Sequence, residues 1–520
     1  MPEEIETRPV RTDSIRRSGV KNVLISVVVA VSSYFSLTLV AKRFGGSLGS
    51  DAFFFLASLT TLASGLVGSL LGTVFLPAFI ELQAKADKAE AHRFASSVFS
   101  WCLVFACAGA LAAAVWHNAF FLLVSRFNTS QMEHMQLVLK YFAPIFLFGV
   151  LSEFFRVLAL SLGKFSTSAI TALFPPLMLI AFIFTLADTM HEEALAASLL
   201  LSKVTAVTVL AVAVVWQAGI RIRMTLRPDV HTFRFVKSSA PYWSATVVTN
   251  LATFYFDYVA SGLGAGVITS LAYAQRIFML PVVVFLNPIL EIARTKFAQF
   301  QAARDRESFS IYYDNLIRLA MYFAVPVATL YFFMSTEIIS AMFQRGAFSS
   351  ANVVVSAACL HIYALSIPFL CLFSVNGRAC ESFQRLLWPS IFGSVGNLLM
   401  IALTFAFVAY TGYIGIPLAR LTVEALYFLP FGFIAFHRLG GSLHLAIPVK
   451  ALATASAACV VPAIGFHLIS GTRGTNSLWW LLQHVGCFAL AYGLTLAMID
   501  RHVRKELRSL LRARSARTPV

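Results

Sequence analysis

The chain has 520 residues, 58% of them hydrophobic and 12% charged, with a mean hydropathy of +0.78. Soluble domains carry about 25% charged residues, so this composition excludes a soluble globular protein and indicates an integral membrane protein. The formal charge of +16 would suggest nucleic acid in a soluble chain; here the basic residues gather between apolar runs, so nucleic acid is not expected as a partner and charge becomes a topological signal.

A polar, basic segment, residues 1–22, precedes the first apolar run at about 23–41. That run is too long for a signal-peptide core and no small-residue cleavage site follows it, so it reads as a retained span. Further runs of bilayer-crossing length, about 20 residues, come at about 52–80, 94–116, 138–161, 168–187, 194–219, 240–261, 267–292, 316–335, 351–375, 387–410, 413–436, 451–470 and 477–498. The fold class predicted is therefore an all-α polytopic membrane protein of about fourteen transmembrane helices. Basic groups at Arg8 to Lys21, Arg221 to Lys237, Arg294 to Arg318 and Arg501 to Arg517 fall on one side of this arrangement. The other side holds Lys42, Arg43, Arg126, Arg345 and Arg473. The positive-inside rule then places both termini in the cytoplasm.

The span count implies a plan. Residues 23–219 form an N-terminal lobe of six spans and 240–436 a C-terminal lobe of six, joined by a basic linker at 220–239. An even number of spans per lobe gives both the same orientation, a pseudo-symmetry about an axis along the membrane normal. Residues 437–498 add two further spans, and 499–520 form a basic tail. Two hairpins support a duplication. Thr38–Leu59 and Phe254–Pro281 each carry a Val-Ala pair (Val40-Ala41, Val259-Ala260), a glycine turn and a new apolar helix. Prolines in or beside spans, such as Pro281, Pro326 and Pro368, suit the bent helices of transporters. The stretch Thr295–Tyr313 reads as amphipathic, lying at the inner surface.

Ionisable residues inside spans carry the functional signal, because a charge near the bilayer centre costs roughly 2.5–3.5 kcal/mol on insertion scales. Arg276 is the first candidate for substrate contact; the competing reading is an ion pair with Asp257 that ties spans seven and eight. Asp257 with Asn397 could instead hold a coupling cation. Glu153 and Arg156, three apart, and Arg420 and Glu424, four apart, have the spacing of intrahelical ion pairs. Lys203 has no partner within a turn and either lines a hydrated cavity or snorkels to an interface. His361 and His467 read as packing residues. Asp51 stands where it can cap the second span. Seven cysteines show no CxxC and no paired loop positions, so neither a metal site nor a disulfide is expected. The chain has no Walker A motif, no HExxH, no GxSxG and no glycine-rich dinucleotide turn, so no enzyme signature is present.

AYAQRIFMLP at 272–281, FQRGAFS at 343–349 with HIYALSIPF at 361–369, and AKRFGGSLGSDAFF at 41–54 with FLPAFIE at 75–81 resemble the MurJ/MviN lipid II flippases. These belong to the multidrug/oligosaccharidyl-lipid/polysaccharide exporter superfamily. The resemblance implies a V-shaped, two-lobed transporter of the bacterial inner membrane with a central cationic cavity. It also implies a lateral groove, made with the last two spans, for a polyprenyl tail. Arg276 matches the family's cavity arginine, Asp51 its acid at the turn, and Lys42 falls where arginine is common. Ser36 and Leu37 replace an Arg-Asp pair, and residues 59–69 lack the arginine pair of span two. The expected function is alternating-access flipping of an undecaprenyl-diphosphate-linked saccharide, lipid II or a related precursor, with no enzymatic activity. Arg276, Lys203 and Arg420 are the candidate substrate contacts; Asp51, Asp257, Asn397 and Lys42 the candidates for gating or coupling. No cofactor is expected, and a coupling cation or the membrane potential is left open as energy source. Expected partners are the lipid-linked saccharide, the bilayer and envelope-synthesis proteins. The alternatives are a cation-coupled small-solute or drug exporter and a non-transporting scaffold.

Overall fold

A computed structural model describes residues 12–84, 88–217, 219–220, 222–225, 246–382, 387–438, 446–470, 478–500 and 503–504. Among the described residues there is no strand, and helices make up nearly all of them. This follows from the solvent: in hydrocarbon every backbone N–H and C=O must be satisfied internally, and a helix does so within one segment. Residues 1–11, most of the 220–239 linker, Arg473 and the tail beyond 504 lie outside the described residues, as does the side chain of His467.

Among the described residues, twelve helical stretches are long and apolar enough to cross a bilayer. Two physical facts separate this number from fourteen. The 44-residue stretch Ile391–Ile434 is continuous only in hydropathy. Leu387–Thr411 ends at a 3-10 turn, Gly412–Ile414, and Gly415–Val423 starts afresh. The turn needs Gly412 at φ +61°, and a Cβ on Gly415 would lie 2.5 Å from the Val408 backbone nitrogen. The stretch therefore holds two crossings. Residues 246–260 are helical and are the described part of the predicted seventh span.

The chain divides into two compact units, Met1–Val40 with Ala52–Asn250, and Ala41–Asp51 with Leu251–Val520. In the first, Leu48–Leu70, Lys88–Val115, Phe142–Ser161 and Glu193–Val212 are the main long helices. Lipid is as apolar as leucine, so packing rather than burial from water holds them. An aromatic cluster supplies it: the Phe75 ring lies 5.5 Å from Phe79, 5.3 Å from Phe94 and 5.9 Å from Phe154. After the sixth span the chain runs back along Lys88–Val115. The Arg223 and Thr225 amides donate to Ser96 Oγ (3.0 Å) and Ser100 Oγ (2.9 Å).

In the second unit, Arg306–Phe343 and Ser350–Ser382 form a long hairpin. The predicted amphipathic stretch Thr295–Tyr313 contains a turn. It is the end of Asn287–Ala302, a turn, and the start of Arg306–Phe343. The break is local: Arg304 takes φ +55° and Asp305 caps the next helix, accepting from the Ser308 amide at 2.9 Å. The Ser308 donors hold the Asp305 carboxyl below the usual carboxylate range. Arg294, Glu291, Arg378 and Glu381 then pin this extension to the end of Ser350–Ser382, with contacts of 3.0–3.4 Å.

Prolines within these helices are used in pairs with hydroxyls. A proline has no N–H, so the carbonyl four residues before it loses its helical partner. Pro281 frees Ile277 O, which accepts from Tyr331 Oη at 3.1 Å. Pro326 frees Tyr322 O, which accepts from Tyr492 Oη at 2.9 Å. Pro462 frees Ala458 O, which lies 2.8 Å from Thr495 Oγ1, itself 2.9 Å from Ala491 O of its own helix. The last two of these bonds dock Leu478–Ile499 on Arg306–Phe343 and on Ala446–Ser470. Tyr492→Phe should therefore destabilise the purified protein by about 1–2 kcal/mol, the cost of an unmet buried carbonyl. In a Pro326→Ala background, where an N–H returns, the same change should cost little; additive melting shifts in this cycle would contradict the pairing.

Candidate functional site

Three turns of the second unit meet backbone to backbone, and they contain the sequence motifs at 41–54 and 343–349. The Ala347 amide donates to Lys42 O at 2.9 Å. A Cβ on Gly45 would stand 2.2 Å from Ala347 O, and one on Gly346 2.1 Å from Lys42 O. The third turn ends at Gly266, φ +82°, where a Cβ would lie 2.7 Å from Gly46 O. No side chain larger than glycine fits these approaches without moving a backbone. Lys42 contributes its carbonyl, and its side chain is exposed.

Asp51 locks the arrangement. Its carboxylate accepts from the Gly266 amide at 2.6 Å, the Thr269 amide at 2.8 Å and Thr269 Oγ1 at 2.6 Å. Val267–Pro281 begins at Gly266, which has no side chain to cap it. Asp51, 215 residues earlier, does so, and its charge faces the positive end of the helix dipole. The expected cap of the second span is thus corrected: the acid serves the eighth span instead. Asp51 is 1% exposed.

Val267–Pro281 presents two faces. On one, Tyr273 stacks on Phe343 at 4.5 Å and meets Phe348 edge-on at 5.3 Å, and Phe278 stacks on Tyr363 at 5.1 Å. The other carries Gln275, Met279 and the exposed Arg276. Arg276 has no ion pair or hydrogen bond among the described residues. The pairing with Asp257 weighed from the sequence is therefore not formed; Asp257 is half-buried and held by other interactions.

Arg420 differs. Its Nε donates to Glu424 Oε1 at 2.8 Å, and its guanidinium lies 4.8 Å from the Phe278 ring centroid and 6.0 Å from that of Tyr363. Neutralised and stacked, it ties Gly415–Val423 to the two helices that carry those rings. Asn397 is half-buried one turn before Met400, which packs with Val423, Phe428 and Phe256, the neighbour of Asp257. His361 Nδ1 is 2.8 Å from Phe332 O and its ring lies tilted against Phe332 at 3.8 Å, as a packing residue does. In the first unit, Arg156 Nε and Nη2 both donate to Glu153 Oε2, at 2.8 and 2.7 Å. Lys203 is half-buried in Glu193–Val212, within electrostatic reach of both.

A family model described as lipid II flippase MurJ matches residues 40–483. The chain belongs to this family. A probable lipid II flippase MurJ of Aquifex aeolicus is 23% identical over 77% of this chain and 80% of its own length. The lipid II flippase MurJ of Thermosipho africanus is 27% identical over 149 residues, 29% of this chain, which spans 30% of that relative. A solved structure of lipid II flippase MurJ in an inward closed conformation superposes with a TM-score of 0.80. It is 19% identical and covers 93% of this chain and 99% of that one. An inward-facing MATE family transporter superposes with a TM-score of 0.68 at 13% identity, covering 80% of this chain and 98% of its own. The fold is thus that of the MurJ flippases and their MATE neighbours. Within it, the sequence signal missed at the site was Thr269: a Gly-x-x-Thr start to a helix marks an N-terminus whose cap must come from elsewhere.

Proposed function

We propose that this protein is a flippase that moves an undecaprenyl-diphosphate-linked saccharide, lipid II or a close relative, across the bacterial inner membrane by alternating access. The observation that carries this reading is Arg276, a charge without a partner among the described residues, on the open face of a helix whose other face is fixed by stacked aromatics. A guanidinium fork suits the oxygens of a diphosphate. Arg276 lies about ten residues, or roughly 15 Å, from the helix start, a depth that suits a midplane site. Asp51 acts as the latch that gates the Lys42–Asp51 turn against Val267–Pro281, and Asp257 and Asn397 serve coupling. Both termini lie in the cytoplasm, following the loop charges. The deciding test is complementation of a strain depleted of its own lipid II flippase. Growth should return on expression of this protein; no growth at normal membrane levels would overturn lipid II as cargo.

A further inference from the structure

We infer that Lys203 and Arg156 form an anion-binding subsite of the first unit that takes a phosphate oxyanion of the lipid-linked cargo. This rests on the flippase reading above. Among the described residues of that unit, Lys203 lies mid-way along Glu193–Val212, and Glu153 and Arg156 lie in the second half of Phe142–Ser161. They come from two helices that pack together, Phe142–Ser161 and Glu193–Val212, and Lys203 lies within electrostatic reach of the other two. A third helix makes room: a Cβ on Gly68 would lie 2.6 Å from Glu153 Oε2 and 3.6 Å from Arg156 Nη2. One acid faces two bases, so the cluster keeps one positive charge. Such a charge inside a bilayer is costly and marks a ligand path more often than a structural role.

The geometry assigns that charge to Lys203. Glu153 Oε2 already receives two donors from Arg156, and no ion pair joins Lys203 to Glu153. Snorkelling does not relieve it. Lys203 sits about ten residues from the start of its helix and nine from its end, roughly 15 and 14 Å at 1.5 Å per residue, farther than a lysine side chain reaches. The cluster is also open: the Arg156 and Glu153 side chains keep 37% and 20% of their exposure. Among the described residues no hydrogen bond or ion pair takes up the Lys203 ammonium, and with the Arg156 guanidinium within electrostatic reach the two suit a phosphate oxyanion.

The test uses the full-length protein in phosphatidylcholine nanodiscs, with undecaprenyl diphosphate as probe and undecaprenol as its uncharged counterpart. Lys203→Gln should weaken binding of the diphosphate tenfold or more and leave undecaprenol unchanged; Lys203→Arg should keep most of the affinity. Gly68→Ala, which displaces the Glu153–Arg156 pair, should also weaken it. The melting temperature of Lys203→Gln should equal or exceed that of the wild type, since no partner is lost. Three results would overturn the subsite: wild-type affinity in Lys203→Gln, a melting loss in Lys203→Gln equal to that of Glu153→Gln, or loss of the probe when phosphatidylglycerol replaces phosphatidylcholine. Competition by inorganic pyrophosphate at the lipid's own concentration would overturn the lipid as source of the anion. If Arg276→Ala weakens the probe while Lys203→Gln does not, only the subsite fails; if neither does, the flippase reading fails with it.

Discussion

Arg276→Ala should abolish growth rescue while the protein still inserts and melts near the wild-type temperature. The two halves of this result have one cause. The guanidinium has no protein partner among the described residues, so its removal breaks no bond in the fold. It would remove charge-assisted hydrogen bonds to the cargo, each worth about 1.5–3 kcal/mol, or about ten- to 150-fold in binding. Arg276→Lys keeps the charge and loses the planar fork, so it should fall between the two. The double change Arg276→Ala with Asp257→Ala should do no better than the single one, because the two residues do not pair. Rescue by Arg276→Ala, or recovery in the double variant at matched membrane levels, would remove Arg276 from the transport path.

Helix content was written in the chain because hydropathy and length together leave a membrane segment few choices. The intrahelical pairs were equally readable: Glu153 with Arg156 and Arg420 with Glu424 depend only on spacing along one helix. What the chain did not disclose depends on which helices become neighbours. Lys203 looked solitary because its neighbours Glu153 and Arg156 lie some fifty residues earlier. Arg420 looked like a substrate contact because nothing in its helix hints at the Phe278 and Tyr363 rings that cover it. The amphipathic pattern of 295–313 was real, but a pattern does not record a turn, and Arg304 and Asp305 place one in its middle. The proline–hydroxyl bonds show the same divide. Pro326 announces a freed carbonyl at Tyr322, while Tyr492 as the donor is a matter of packing.

Asp51→Ala should be the most destabilising of these changes. Asp51 is the acceptor for two buried amides and a hydroxyl at the start of Val267–Pro281. Each unmet buried donor costs about 1–3 kcal/mol, and loss of the charge at the helix start adds about 0.3–1 kcal/mol. A total of about 3–5 kcal/mol is expected, the range of a lost cap combined with a broken buried network. Asp51→Asn keeps one oxygen for the Thr269 pair but turns an amide N–H₂ towards the Gly266 N–H, so about half the loss should remain. Asp51→Glu places an extra methylene in a site with 1% exposure and should be no better than asparagine. Thr269→Val isolates the hydroxyl, and its cost should vanish in the Asp51→Ala background, because the two groups share one bond. Thermal melting of the purified variants in one detergent reads all of these. The same series separates a latch from a cap. If Asp51 only caps the helix, transport per folded molecule should survive Asp51→Asn. If it gates, transport should change by more than the folded fraction does, because the bond to Gly266 then has to break and re-form in every cycle. A melting temperature of Asp51→Ala equal to that of the wild type would remove both roles, since neither can be held by a carboxylate the fold does not need.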